Sequence, residues 1–231
     1  MKEKIYTIPL NESFDQKEAC PFCFLEDKLE RQLVDYTLGP AMMEPDSREE
    51  SNRTGFCRHH LKMMLEENKK LSLALMLSTH LDAVAEKIKE IPEKEASGFF
   101  QKKKSDRGLS ELTAALEGCV VCGKLEKDRQ RYLDVFFYMW EKEAEFRKKV
   151  SACQNLCAAH GLSILQKMPE KLAGLRTQVL KMLWGGLNSG QAELKAFIDL
   201  FDYRSEIKDP GAHKLAAANA AELLRGSLKN F

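Results

Sequence analysis

The sequence predicts an all-helical, or nearly all-helical, protein of duplicated helical units, each stapled by a site of three cysteines and one histidine. Three observations carry this expectation. Apolar residues recur at helical spacing along most of the chain, alternating strand patterns are nearly absent, and one set of cysteine and histidine pairs occurs twice at a constant offset. A chain of 231 residues, 44% of them hydrophobic, is long enough to bury a sizeable core in one large or two small units.

The start, around Ile5 to Leu10, reads as extended. A first helix is expected from Pro21 to Leu38, because Leu25, Leu29, Leu33 and Tyr36 recur at helical spacing before Gly39-Pro40 stops it. Asp46-Ser-Arg-Glu49 has the form of a capping box with an aspartate cap and should open a short helix. The pattern is helical again from Phe56 to Ile91, with a break near Asn68, and Pro92 ends it. Residues 92–109 mix charge with chain breakers and read as a linker. A long helix should then run from Cys119 to Val150, its apolar face made by Leu125, Tyr132, Leu133, Phe136, Phe137 and Trp140. Further helices are expected near 157–167, 170–184 and 191–203, and the tail beyond Pro210 can form one more, anchored by Leu215, Leu223 and Leu224. The expected organisation is a first metal-binding repeat over 1–91, a linker over 92–109, a second repeat over 110–190 and a C-terminal helical segment over 191–231.

Charge narrows the function classes. Lysine plus arginine (36) nearly cancels aspartate plus glutamate (35), so no global field draws the chain to nucleic acid or anionic lipid. No run of eighteen apolar residues occurs, and no membrane span is expected. The first residues lack the apolar stretch and cleavage site of a secretory signal, which makes the cytoplasm the expected compartment. Thiols stay reduced there, so seven cysteines point to metal ligands or redox groups rather than to a disulfide framework.

The cysteines align in pairs. Cys20-Pro-Phe-Cys23 is followed by Cys57-Arg-His-His60, and Cys119-Val-Val-Cys122 by Cys157-Ala-Ala-His160. Cys20 to Cys119 and Cys23 to Cys122 both span 99 residues, while Cys57 to Cys157 and His60 to His160 both span 100. An apolar residue, Phe56 or Leu156, precedes the third cysteine of each set. Three cysteines and one histidine form a standard tetrahedral zinc set, and ligands three apart on a helical turn face one direction. Two such sets predict two zinc ions per chain; an iron–sulfur cluster is the alternative. Whether half-sites pair within or across the repeats is open from spacing alone. Pairs placed at helix N-termini would gain thiolate character from the dipole, and Lys17, Arg58 and Lys124 could balance the charge.

Cys153 stands outside the repeat, since the position four before Cys57 is Arg53. It reads as a free or buried thiol, with a spare ligand or reactive thiol as the functional alternative. His59, beside His60, reads as solvent-facing or supporting a ligand. Cys20-Pro-Phe-Cys23 resembles the motif of thiol oxidoreductases but lacks their strand–helix–strand setting. Lys102, Lys103 and Lys104 read as a solvated face, Phe136 to Trp140 as core, and His80 and His213 as structural. No phosphate loop, dinucleotide fingerprint, nucleophile elbow or His-Glu-x-x-His is present.

Lys4-Ile-Tyr-Thr-Ile-Pro9, Cys20-Pro-Phe-Cys23, Leu38-Gly-Pro40, Gly55-Phe-Cys57, His60 and Phe201-Asp-Tyr-Arg204 resemble an uncharacterised bacterial family of unknown function carrying the duplicated cysteine motif. Its members are sometimes labelled ABC transporter substrate-binding proteins. The resemblance spans nearly the whole chain, supports the boundaries and the cysteine pattern, and implies no activity. The expectation from the residues is a zinc-binding helical scaffold or interaction protein, its partner a protein or a small molecule. The alternatives are thiol redox or metal-dependent catalysis, or a sensor that loses its metal or cluster on oxidation.

Overall fold

A computed structural model describes residues 3–17, 19–92, 99–201, 211 and 213–228, with backbone alone at 3–4 and 99–105. Among them there is no strand. Eleven α-helices follow one another: α1 Glu3–Asp15, α2 Pro21–Thr37, α3 Pro45–Thr54, α4 Arg58–Glu66, α5 Lys70–Lys89, α6 Phe99–Glu117, α7 Val120–Lys142, α8 Ala144–Ala152, α9 Ala158–Lys167, α10 Ala173–Asp199 and α11 Ala216–Arg225. Short 3-10 turns occupy Pro40–Met43 and Glu170–Leu172. None of the described helices is long and apolar enough to cross a membrane.

The chain forms two compact units. One is made of Met1–Lys28 with Arg129–Phe231, the other of Leu29–Asp128, so each draws residues from both expected repeats. In the first unit, α1 packs on α8 and α10 packs on α9 and α11. Its core is aromatic. Phe14, Phe22, Phe136 and Phe146 meet with ring centroids 5.3 to 5.9 Å apart, mostly edge to face; of the stripe expected as core, Phe136, Phe137 and Met139 are buried, while Trp140 is half-buried and Tyr138 exposed. In the second unit, α3, α5 and α6 pack on one another. Val34, Leu38, Phe56, Met64, Leu73, Met76, Val120 and Val121 are buried there together with Cys119. Each such fully buried side chain is worth about 1.5–3 kcal/mol relative to exposure.

Several expectations are corrected. The start is helix α1 rather than extended, because Leu10 and Phe14, one turn apart, are both buried and Tyr6 meets Tyr132 edge-on. Packing there overrides the β-branched residues and Pro9, whose propensities are only weak priors. Helix α3 is capped by Glu44 with Pro45 in its first turn, not by Asp46; proline fits that turn because its missing N–H has no partner to lose. Residues 99–109 of the expected linker lie in α6, while 93–98 fall outside the described residues, as do residues 202–204 and the side chains of Lys102 to Lys104.

The long helix expected from Cys119 to Val150 breaks at Glu143, whose backbone is extended. Arg147 Nη1 donates to the carbonyls of Trp140 (2.9 Å) and Glu141 (3.1 Å), which satisfies the end of α7, while Phe146 turns into the core. Conversely, the two helices expected at 170–184 and 191–203 are one, α10. Gly185, Gly186 and Gly190 weaken it by about 1 kcal/mol each relative to alanine, but Gly186 and Gly190 let α11 approach. A Cβ at Gly190 would lie 2.8 Å, and one at Gly186 3.2 Å, from Leu223.

Candidate metal centres

Local structure is the same at all four half-sites. Cys20 and Cys119 cap α2 and α7, their carbonyls accepting from Phe24 and Gly123 at 3.0 Å. Cys57 and Cys157 cap α4 and α9 with near-identical extended backbone angles, φ −72°, ψ 163° and φ −71°, ψ 155°. The second donor of each pair sits one turn along, so both point off the helix start. Phe56 and Leu156 are buried and anchor the segment before each Cys-x2-His pair.

The half-sites pair across the repeats. In the first unit Cys20 and Cys23 meet Cys157 and His160; in the second Cys57 and His60 meet Cys119 and Cys122, and in each group the donor atoms all lie within 4.8 Å of one another. His160 Nδ1 is 3.1, 3.4 and 3.6 Å from the sulfurs of Cys157, Cys23 and Cys20. His60 Nδ1 is 3.2, 3.3 and 3.4 Å from those of Cys57, Cys119 and Cys122. The Cys23–Cys157 and Cys57–Cys122 sulfurs are 3.8 and 3.7 Å apart, contact rather than disulfide distance. Every cysteine is a free thiol.

Backbone geometry closes each group. In the second unit, Gly55 has φ +68°, which a side chain rarely adopts, and a Cβ there would lie 2.2 Å from the Ala115 carbonyl. Its own carbonyl accepts from Val120 N–H at 3.0 Å and so ties the Cys57 segment to the start of α7. In the first unit, Asn155 Nδ2 donates to the Lys17 carbonyl. Beyond α11, Gly226 (φ +94°) passes so close that a Cβ would lie 2.9 Å from Cys23 Sγ, and the Ser227 N–H donates to that sulfur at 3.3 Å.

Two carboxylates complete the arrangement, and the motif spacing did not point to them. His160 Nε2 is 2.9 Å from Glu26, which Arg129 holds from behind at 2.8 Å; Phe22 stacks on the ring at 5.5 Å. His60 Nε2 lies 3.0 Å from Glu30, an ionic contact short of good hydrogen-bond alignment, and His59 Nε2 reaches the same carboxylate at 3.1 Å. Their sequence signal is a helical face, since Glu26 and Glu30 follow Cys23 by three and seven residues on α2. Lys124, expected to balance the sulfurs, instead pairs with Glu50 at 3.7 Å and lies over the Tyr36 ring. His80 is structural as expected, Nδ1 against the Asn52 carbonyl at 3.1 Å and the ring edge-on to Phe56.

Charge is unevenly shared. Burial would push the Cys119 thiol up, but the His60 ring and two backbone amides outweigh it and bring it down to about 6. Burial, then the neighbouring Cys119 charge, pushes Cys122 up to about 12. Hydrogen bonds from Cys157 and Cys23 hold Cys20 well below the thiol range against burial, and sharing with Cys157 and Cys20 raises Cys23. Burial would lower both histidines, yet their sulfur and carboxylate partners raise His60 to about 10 and His160 to about 12. In each group a sulfur and the imidazole favour one another's charged forms, and a divalent cation could replace the protons. Cys153 differs: burial first, then the Cys20 charge, raises its thiol.

A family model described as "Family of unknown function (DUF6062)" matches residues 1–230. No curated protein and no solved structure matches the chain.

Proposed function

We propose that this chain, which belongs to the DUF6062 family of unknown function, is a helical scaffold or interaction protein that holds one zinc ion in each Cys3His group. The observation that carries this reading is the shape of the two donor sets. A tetrahedral ion with zinc–sulfur bonds of about 2.3 Å spaces its sulfurs by about 3.8 Å and its sulfur and imidazole nitrogen by about 3.6 Å. One sulfur pair in each set, Cys23–Cys157 and Cys57–Cys122, lies 3.8 and 3.7 Å apart, all donor atoms of a set lie within 4.8 Å of one another, and the sulfur–nitrogen distances run from 3.1 to 3.6 Å. Such spacing supports a single ion, because a cluster would interpose irons and sulfides and hold the thiolates farther apart. Each imidazole offers Nδ1 to the sulfurs and turns Nε2 to a glutamate, the orientation that fixes the tautomer of zinc-bound histidine.

A filled coordination sphere leaves no position for substrate water, which favours a structural role over metal-dependent catalysis. The raised Cys153 thiol runs opposite to what an attacking thiol needs, which weighs against redox catalysis. Seven free thiols suit a reducing compartment, and we place the protein in the cytoplasm. For a partner, α10 offers Leu180, Trp184 and Leu187, all exposed and at helical spacing, as a surface for another apolar helix face.

Elemental analysis of protein purified without added metal should find two zinc ions per chain, and a count of one or none would overturn the two-site reading. Glu26→Gln and Glu30→Gln should each weaken zinc retention at their own centre by about tenfold or more, because loss of an outer carboxylate costs that much elsewhere. Competition with a chromogenic chelator reads this directly. Retention equal to the unmodified protein would remove the carboxylates from the centres.

A further inference from the structure

The four donors in the first unit are enclosed; Cys20, Cys23 and Cys157 are at most 7% exposed. A cavity of about 740 Å³ nevertheless reaches two of them, and three sulfurs lie on its wall: Cys20, Cys23 and the non-repeated Cys153. The opposite wall is a face of α10 kept low by Gly185, Gly186 and Gly190. All the lining residues belong to the first unit. The volume suits a small molecule, and amides, hydroxyls and two glutamates make the lining polar. In the second unit, the position matching Cys153 is Arg53 and the ligand Cys122 is itself exposed, so that centre has its own access and no fifth sulfur.

We propose that the metal of the first unit is exchanged through this cavity with a small chelating molecule, and that Cys153 is the transient fifth donor that opens the coordination sphere. The proposal rests on the zinc reading above. Zinc changes ligands by accepting a fifth donor before releasing one, since its filled d shell imposes no fixed geometry. The leaving group is Cys20. Cys157 and His160 do not line the cavity, and Cys23 is held by the Ser227 N–H and walled by Gly226. Cys153, whose raised thiol is no nucleophile by itself, would lose its proton only as its sulfur bonds the ion, because a coordinated thiol is deprotonated by the cation; the bond to Cys20 would break and Cys20 would take up a proton. No electrons are transferred. With Cys20 displaced on the cavity side, nitrogen or thiolate donors of a molecule in the cavity can complete the transfer.

The test uses full-length protein with its zinc content measured first, then mixed with 4-(2-pyridylazo)resorcinol. Zinc release is followed while isotope-coded alkylation reports when each cysteine becomes free. Two kinds of variant leave the ligands alone. Cys153→Ser and Cys153→Ala remove the fifth donor, and Gly185→Phe fills the cavity from a position where an added Cβ meets nothing within 4 Å. Each should slow release of the ion held by Cys20, Cys23 and Cys157 severalfold, because the route loses its fifth donor in one case and its space in the other. Labelling of Cys57, Cys119 and Cys122 should keep its original rate. Fully loaded, normally helical variants that free Cys20, Cys23 and Cys157 at the unmodified rate would overturn the exchange route alone. Fewer than two ions in the starting protein would overturn the zinc reading beneath it, a separate outcome read before chelator is added.

Discussion

On the two-zinc proposal, removing both metals with a strong chelator under reducing conditions should unfold much of the protein. Structural zinc contributes about 10–16 kcal/mol of apparent binding energy in small zinc-dependent folds, whereas a domain's whole stability is about 5–15 kcal/mol. The loss of even one ion is therefore comparable to the margin that keeps a unit folded. The structure locates the damage. Without an ion, two raised thiols, Cys23 and Cys122, and the buried His60 and half-buried His160 imidazoles remain crowded at the starts of α2, α4, α7 and α9. Circular dichroism should show lost helix content and calorimetry a lowered or vanished unfolding transition, both restored by added zinc. An unchanged transition after verified metal removal would contradict a structural role and favour a regulatory one.

His160→Ala should release one ion and free Cys20, Cys23 and Cys157 together, leaving Cys57, Cys119 and Cys122 protected from alkylation. His60→Ala should give the converse pattern. The reason is the pairing across the repeats, in which Cys20 lies 140 positions before the histidine it faces. Had ligands paired within a repeat, loss of His160 would free Cys119, Cys122 and Cys157 instead. Peptide mass spectrometry after isotope-coded labelling distinguishes the two sets without relying on activity. The His160 variant should also loosen the segment beyond α11, because Ser227 leans on a sulfur that would no longer be fixed. Hydrogen exchange at 226–228 reads that consequence.

Most helices were legible because their apolar residues recur at helical spacing and their ends carry proline or glycine. The Pro21 start of α2, the gap between α4 and α5 and the last helix, α11, all lie where pattern placed them. Errors arose where distant contacts decided. The Ile5-Tyr-Thr-Ile-Pro9 stretch looks extended until Leu10 and Phe14 are seen buried in one turn. The glycines at 185, 186 and 190 look like a stop until Leu223 is seen packed against Gly186 and Gly190. Glu143 looks helical until Arg147 is seen capping the preceding carbonyls.

What the sequence alone determined was the helical class and the eight candidate donors, because helical periodicity and Cys-x2-Cys or Cys-x2-His spacing are local properties written within one turn. Only the tertiary structure decided which half-sites meet. The Cys-x2-Cys and Cys-x2-His motifs are locally the same whichever half-sites pair, and the outcome depends on contacts such as Gly55 to Val120 and Asn155 to Lys17, whose partners are far apart in the chain. The same holds for Glu26, Glu30 and the cavity beside Cys153. A carboxylate on a polar helix face acquires a role only when the chain returns to place an imidazole in front of it.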